Sequence, residues 1–495
     1  LKKSKRFGLF FGPALFLIVL YLYQPEGLSM EGRGVLAATL WIAVWWITEA
    51  IPISATALLP IVLFPVSGAL GMNTTTAAYA SPMIFLFMGG FMIAAAIEKW
   101  NLHQRIALTI ISKTGAGLNQ IILGFMLACG FLSMWISNTA TAVMMLPIGL
   151  AVAKQLGSGI KNEATTERKI GQVMMLGIAY SCSVGGIATL IGTPTNVIFS
   201  AVIQKMYGIE ITFSKWMSFG LPISVGLLLI AWLYLTRFAY SSLKITNIEG
   251  SKREIRNQLI ELGEISEEEK KVLLIFIGVA IAWICRSFLL QKMIPGINDA
   301  VIAIAGALLL FIIPTKADKR DFLLDWRTAQ KIPWGILLLF GGGLAIAAGF
   351  KESGLAMWIG NQISLLAAVP YIMLLLILIT IVNFLTEITS NVATASILLP
   401  IIAALSVSIG VHPYGLMIAV TVAASCAFML PVATPPNAVV FSSGYLSIPR
   451  MVQVGIWMNI WSILLLTVFV YFVLPWLWGI DLEGLPAEFL NTTLE

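Results

Sequence analysis

Apolar runs long enough to enter a bilayer recur along this sequence from end to end, at 8–23, 34–48, 51–68, 81–98, 119–153, 171–204, 219–240, 272–290, 299–314, 334–350, 365–408, 414–441 and 452–478. A lipid core offers a backbone no hydrogen bonds, so a chain patterned this way must satisfy its peptide groups internally, and helices are the economical solution. The one substantial polar interruption, 241–271, is too short to be a domain. Charge is scarce, with 30 Lys or Arg and 24 Asp or Glu in 495 residues and 59 % hydrophobic side chains, which argues against a soluble enzyme. The expected class is an all-α polytopic membrane protein. Its net charge of +6 would suggest acidic partners in a soluble protein; here it matters through placement beside membrane crossings, and no nucleic-acid partner is expected. Cys129, Cys182, Cys285 and Cys426 lie inside apolar runs, which speaks against a disulfide framework or a thiolate metal site. The first run follows LKKSKR as a signal peptide would, but no convincing small-residue cleavage pattern comes after it, and it reads as a retained helix.

Several runs exceed the roughly 20 residues of one crossing. If 119–153 and 365–408 enter and leave on one side as helical hairpins and the other eleven runs each cross once, the polar connections fall into two sets. With a cytoplasmic N-terminus, Arg33, Lys205, Lys215, Arg286, Lys292 and Lys351 are the external basic residues, and all the others lie inside. That is a strong positive-inside bias for a plasma-membrane protein with an external C-terminus. The divisions that follow are 1–33, an N-terminal helix and external link; 34–240, with hairpin 119–153; a cytoplasmic linker, 241–271; and 272–495, with hairpin 365–408 and a C-terminal helix. The linker mixes SKREIR with ELGEISEEEKK and reads either as a solvated connection or as a short amphipathic helix. Pro147, Pro194, Pro400 and Pro435 fall within apolar runs and are expected to interrupt helices there.

The chain also repeats itself. SNTATAVMMLP at 137–147 returns as SNVATASILLP at 390–400, an offset of 253 that also carries Gly89-Gly90 onto Gly342-Gly343. GTPTN at 192–196 returns as ATPPN at 433–437, with the offset reduced to 241. Five crossings lie between the two SN motifs in this topology, an odd number, so the first hairpin opens from the cytoplasm and the second from outside. Inverted repeats with helices broken near mid-membrane let a chain exchange inward- and outward-facing states, which points to transport rather than catalysis.

Three small polar residues, Ser137, Asn138 and Thr139, between apolar arms are tolerable only at a turn that meets water, protein or solute. There the hydroxyls, the Asn amide and the free peptide N–H groups of the second arm can donate to a carboxylate without any arginine. Asn138 can turn its carbonyl to a small cation, with Ser137 and nearby backbone carbonyls as further hard ligands. Helix capping or polar packing is the alternative for a single copy, and the second copy weakens it. Ser390-Asn391 reproduces the tip, but Val392 replaces Thr139, which either tunes the solute or adjusts packing. The two TP motifs either expose carbonyls and a threonine or simply kink their helices. Glu49 in WWITEAIP and Glu387 in NFLTEITSN can organise helix ends or take part in coupling; their place near a membrane boundary favours a structural or solvated role. His103 and His412 read as loop or cap residues. GGFM at 89–92 and FGGG at 340–343 lack the Lys-Ser/Thr ending of a phosphate loop and read as close helix contacts, so any uphill transport must draw on another gradient.

WWITEAIP at 45–52, both SN motifs and both TP breaks, in this order over about 440 residues, resemble the divalent anion:sodium symporter family of INDY-type dicarboxylate carriers and animal sodium-dependent carboxylate carriers. The resemblance implies eleven transmembrane helices, two opposed re-entrant hairpins, a dimerising scaffold and a transport domain that moves like an elevator. It implies a first sodium site at Ser133, Ser137, Asn138 and the backbone around Gly192, and a second at Thr386, the backbone near Thr389, Asn391 and the backbone around Ala433. Substrate carboxylates would be held by Ser137-Asn138-Thr139 and Ser390-Asn391, with Val392, Thr193 and Thr434 nearby.

The expected function is sodium-coupled import of C4 dicarboxylates such as succinate, malate or fumarate, with sodium as coupling ion, no other cofactor, and a homodimer in the lipid bilayer. The alternatives are a sodium-independent exchanger of 2-oxoglutarate, succinate or malate, or a citrate carrier. A receptor or scaffold would need ligand binding without turnover. An enzyme is disfavoured because no acid/base pair, metal cluster or activated nucleophile emerges.

Overall fold

The computed structural model describes residues 3–115, 117–157, 163–241, 243, 249–316, 321–362 and 369–489, and these fold almost wholly as helices. Among them nine helical stretches have the length and apolarity to cross a membrane, including Phe213–Ala239, Glu267–Met293 and Ile448–Trp478. The only β pairing among the described residues is an isolated bridge between Pro314 and Phe322.

Local chemistry sets the helix boundaries. Ser29 accepts from the Gly32 amide to start Met30–Thr48, and Ser81 followed by Pro82 starts Pro82–Lys99. Glu267–Cys285 begins five residues before the apolar run does, because Ser266 and Glu269 close a reciprocal capping box. Within the linker 241–271, residues 249–261 form the helix Glu249–Glu261, the amphipathic alternative, with Ile255 buried. Arg105 forks onto Glu269 at 2.7 and 3.2 Å and donates to the carbonyls of Leu262, Gly263 and Glu264, fixing the turn between the two helices. Across the same side Lys99 reaches Asp325 at 2.8 Å and holds its carboxyl far below the usual range.

Two matching sets of elements build the centre. The first hairpin runs through Leu118–Ser133 and Asn138–Gly157; the second through Tyr371–Thr386 and Asn391–Ser408, while 365–368 of its expected span lie outside the described residues. Each is followed by a broken helix: Glu163–Ile187 then Pro194–Tyr207, and Pro413–Ala423 then Pro435–Phe441. Pro194 and Pro435 sit at helix starts, where their missing N–H costs nothing. Pro147 and Pro400, expected to interrupt, lie inside continuous helices. One proline removes one amide–carbonyl bond, and the packed neighbours hold the rest of the helix in register. The run 51–68 is instead divided into Ile53–Thr56 and Leu59–Val66, and Tyr79 donates its hydroxyl to the Ala57 carbonyl at the division.

The hairpins are pressed against the broken helices. Gly185 faces Gly130 so closely that a Cβ at 185 would collide with the Gly130 carbonyl. A second tight junction is ionic: Arg286, fully buried, meets Asp299 at 3.0 Å and Glu210 at 2.8 Å, while Asp299 also accepts from the Phe213 amide. Such a network specifies an arrangement more than it adds stability. Gly185→Ala is expected to lower the thermal unfolding midpoint of the detergent-solubilised protein, equivalent to about 1–3 kcal/mol of overpacking. Gly278→Ala, where an added Cβ meets nothing within 4 Å, serves as the control and should be neutral or slightly stabilising.

Candidate functional site

Both hairpin tips and both helix breaks open onto one cavity of about 600 Å³. Of the residues singled out by sequence, Ser137, Asn138, Thr139, Gly192, Thr193, Thr389, Ser390, Asn391, Val392, Ala433 and Thr434 line it. Ser133 and Thr386 do not; they stand fully buried behind the tips, each hydrogen-bonded to the asparagine of its own hairpin.

The tips are made by helix starts. Ser137 caps its own helix, its Oγ accepting from the Ala140 amide at 3.1 Å. Ser390 occupies the same position with extended backbone but makes no cap bond, so its hydroxyl is available to the cavity. With the starts at Pro194 and Pro435, four helix N-termini lie around the cavity, and their dipole ends favour an anion. At the Pro435 start, though, Pro435 and Pro436 carry no N–H and the Asn437 amide is taken by Thr434, so the free donors belong to the other starts. Val392 places an isopropyl group where the first tip has the Thr139 hydroxyl.

Behind the first tip, oxygen atoms converge. Asn138 Oδ1 lies 2.6 Å from Ser133 Oγ, 3.2 Å from the Cys182 carbonyl and 3.3 Å from the Gly192 carbonyl. In this orientation one hydroxyl proton serves four oxygens; turned over, the amide NH₂ would donate to all three neighbours. A small cation favours the first orientation. Gly186 and Gly192 close the back of this cluster, with no room for a Cβ on either. Behind the second tip, Thr386 Oγ1 stands 2.7 Å from Asn391 Oδ1 and 2.9 Å from the Ala424 carbonyl, again one proton between two acceptors. The Thr389 hydroxyl is engaged with the Leu385 carbonyl and Thr394, which leaves its carbonyl as the possible ligand. Among the described residues no group of three or more His, Cys, Asp or Glu could hold a metal, so a cation here would meet neutral oxygens suited to an alkali ion.

Residues without an assigned role in the sequence turn out to hold the breaks open. Asn196 donates to the carbonyls of Gly186, Ile187 and Thr189, and Asn437 to those of Ala427 and Leu430. Each asparagine ends its TP motif, and their recurrence at the same offset was the available signal. Glu387 is no solvated boundary residue: it is buried, accepting from the amides of Phe428, Met429 and Leu430 at 2.7–3.1 Å and from Asn459 Nδ2 at 2.8 Å. It organises the second break, as one of its two readings anticipated. Glu49 is exposed at the cavity mouth. His412 caps a helix by accepting from the Tyr414 amide, and His103 is buried against the Ile97 carbonyl. Across the centre, Thr195 and Ser425 join the two breaks at 2.7 Å.

Known proteins resemble this chain over most of its length. The family described as "Sodium:sulfate symporter transmembrane region" matches residues 3–480. The sodium-dependent dicarboxylate transporter SdcS of Staphylococcus saprophyticus is 47 % identical over 487 residues, covering 97 % of this chain and 94 % of that protein. SdcS of Staphylococcus aureus strain USA300 is 47 % identical over 500 residues, covering 98 % and 96 %. Among solved structures, Neisseria gonorrhoeae MtrF, presented as one of a class of antimetabolite efflux pumps, aligns with a TM-score of 0.57 at 12 % identity over 98 % of each chain. The Alcanivorax borkumensis YdaH transporter aligns at 0.58 and 14 % identity, over 90 % of this chain and 99 % of that one. Those two share the fold alone, whereas the family match and the 47 % relatives span nearly the whole chain: it belongs to the divalent anion:sodium symporter family, whose membrane region they define.

Proposed function

We propose that this protein imports C4 dicarboxylates such as succinate, malate or fumarate together with sodium. The observation that carries the reading is the convergence of four helix N-termini and two asparagine-centred oxygen clusters on one cavity. The N-termini suit the carboxylates and the oxygen clusters suit sodium. The naming of the 47 % identical relatives as sodium-dependent dicarboxylate transporters supports the same pairing.

In this reading Ser137, Asn138 and Thr139 take one carboxylate and Ser390 and Asn391 the other, with Thr193, Thr434 and the Val392 side chain shaping the space between. The first sodium is held by Ser133, Ser137, Asn138 and the Gly192 carbonyl, and the second by Thr386, the Thr389 carbonyl, Asn391 and the Ala433 carbonyl. Sodium in either cluster orders the tip in front of it and adds positive potential for the anion, so the two affinities rise together. The architecture that goes with this function has eleven crossings, two opposed re-entrant hairpins, inverted repeats, a cytoplasmic N-terminus, an external C-terminus, and a dimeric scaffold against which the hairpins and broken helices move as an elevator.

In proteoliposomes, succinate uptake is expected to require an inward sodium gradient; uptake indifferent to sodium but dependent on internal dicarboxylate would overturn the symport reading. Ser390→Ala and Asn391→Ala should raise the succinate KM by roughly ten-fold or more, as expected for losing a hydrogen bond to a charged group. Ser133→Ala should act first on the half-saturating sodium concentration, measured at saturating succinate. If folded Ser390→Ala and Asn391→Ala proteins keep wild-type KM, the tips are not the anion site.

A further inference from the structure

The WWITEAIP motif contributes nothing to the clusters described above, yet Trp46, Ile47, Thr48 and Glu49 line the same cavity, together with Ser4 and Lys5 from the first helix. Among the residues lining the cavity, Lys5 is the one basic side chain and Glu49 the one acidic side chain, and they meet at 3.7 Å. We propose that Lys5 is a capture residue for the dicarboxylate at the cavity mouth, and that Glu49 is the positioning residue that holds it there between transport events. This rests on the dicarboxylate reading above.

The motif is built to bring the pair together. Trp45 Nε1 donates to the Gly8 carbonyl at 2.9 Å, one turn beyond Lys5, and Gly8 lies so close to Thr48 that a Cβ would collide with its hydroxyl. The first helix is therefore fixed against Met30–Thr48 with Lys5 at the level of the turn that follows. Trp46 Nε1 reaches across that turn to the Ile53 carbonyl at 3.2 Å. Within the turn Glu49 is left-handed, with φ 47° and ψ 44°, a conformation that L side chains other than Asn and Asp seldom adopt. Its amide bonds back to the Trp45 carbonyl, and its carboxylate is turned to Lys5.

The pair is suited to exchange. Both side chains are substantially exposed, 37 % for Lys5 and 59 % for Glu49, so the pair is weak, and a dianion arriving from water can displace Glu49 from the ammonium. Deeper in, the cavity holds neutral donors only. A lysine at the rim raises the local concentration of a dianion, and a flexible point charge releases it again more readily than a bidentate arginine would. Because Lys5 belongs to the N-terminal end of the first helix, its influence is confined to the membrane face carrying that end, read above as cytoplasmic. The proposed role is thus specific to one side of the transport cycle.

The test compares succinate KM at the two faces, using whole cells for the outer face and inside-out vesicles from the same cells for the inner one, at fixed sodium and at two ionic strengths set with choline chloride. Lys5→Gln should raise the inner-face KM about three- to ten-fold at low ionic strength, the effect of one solvated charge at contact distance. The increase should shrink at high ionic strength and exceed any change at the outer face. Lys5→Arg should restore most of the affinity, Glu49→Gln should lower the inner-face KM by freeing Lys5, and Lys113→Gln, at the exposed end of a helix that does not line the cavity, controls for a general loss of basic charge. An unchanged inner-face KM in Lys5→Gln, an equal change at both faces, or an increase insensitive to salt overturns the proposal. Those results leave the symport reading standing, whereas wild-type protein without sodium-dependent succinate transport would refute that reading itself.

Discussion

An interrupted helix inside a membrane must find partners for the peptide groups it releases, and the centre of this protein is organised around meeting that demand twice. Asn196 gathers three carbonyls at the first break, and Asn437 gathers two at the second. Glu387 takes three successive amides at the second break, while at the first the Thr189 hydroxyl donates to the Met134 carbonyl. Once the breaks are stabilised from behind, the helix starts in front of them can turn their positive dipole ends to the cavity. The anion-attracting character of the site follows from the same breaks that would otherwise be a liability.

The two halves meet this constraint with different chemistry at matching positions. Gly130 and Gly185 let hairpin and broken helix touch backbone to backbone; their mates, Asn383 and Cys426, are joined by a side-chain hydrogen bond of 2.7 Å. Met134 contributes a backbone carbonyl where its mate Glu387 contributes a buried carboxylate. Ser137 is tied into its own helix, whereas Ser390 is free of a cap bond, and a threonine on one tip is a valine on the other. The first tip is therefore the more self-sufficient, and the second leans on the buried Glu387 carboxyl group at its back. A duplicated sequence has become a site with two unequal ends.

How much of this could be read from the sequence depended on whether the signal was local. The SN tips and TP breaks were legible because each pairs a polar or helix-stopping residue with an apolar context, and because each occurs twice. Pro147 and Pro400 were misleading for the complementary reason: proline marks a lost hydrogen bond, and only packing decides whether the helix ends there. Glu387 was ambiguous since its amide partners lie some 40 residues further along the chain, where no spacing rule reaches. Lys5 and Glu49 were separately visible, but their meeting depends on the contact between Gly8 and Trp45, which sequence periodicity does not encode.

A carrier of dianions gains from keeping its inner site neutral. An arginine buried among these helix starts would bind a carboxylate tightly, yet it would stay charged after release, and returning it empty through a low-dielectric region would need a counter-charge. Hydroxyls, amides and helix ends attract an anion without that burden. Under the symport reading proposed above, sodium supplies the full positive charge only while cargo is aboard, so loaded and empty sites both approach neutrality and the partly loaded one is penalised. In that reading coupling arises from electrostatics: the hairpin tips and helix breaks offer the cargo no charged side chain of their own within the cavity, and what they bind decides when crossing is inexpensive.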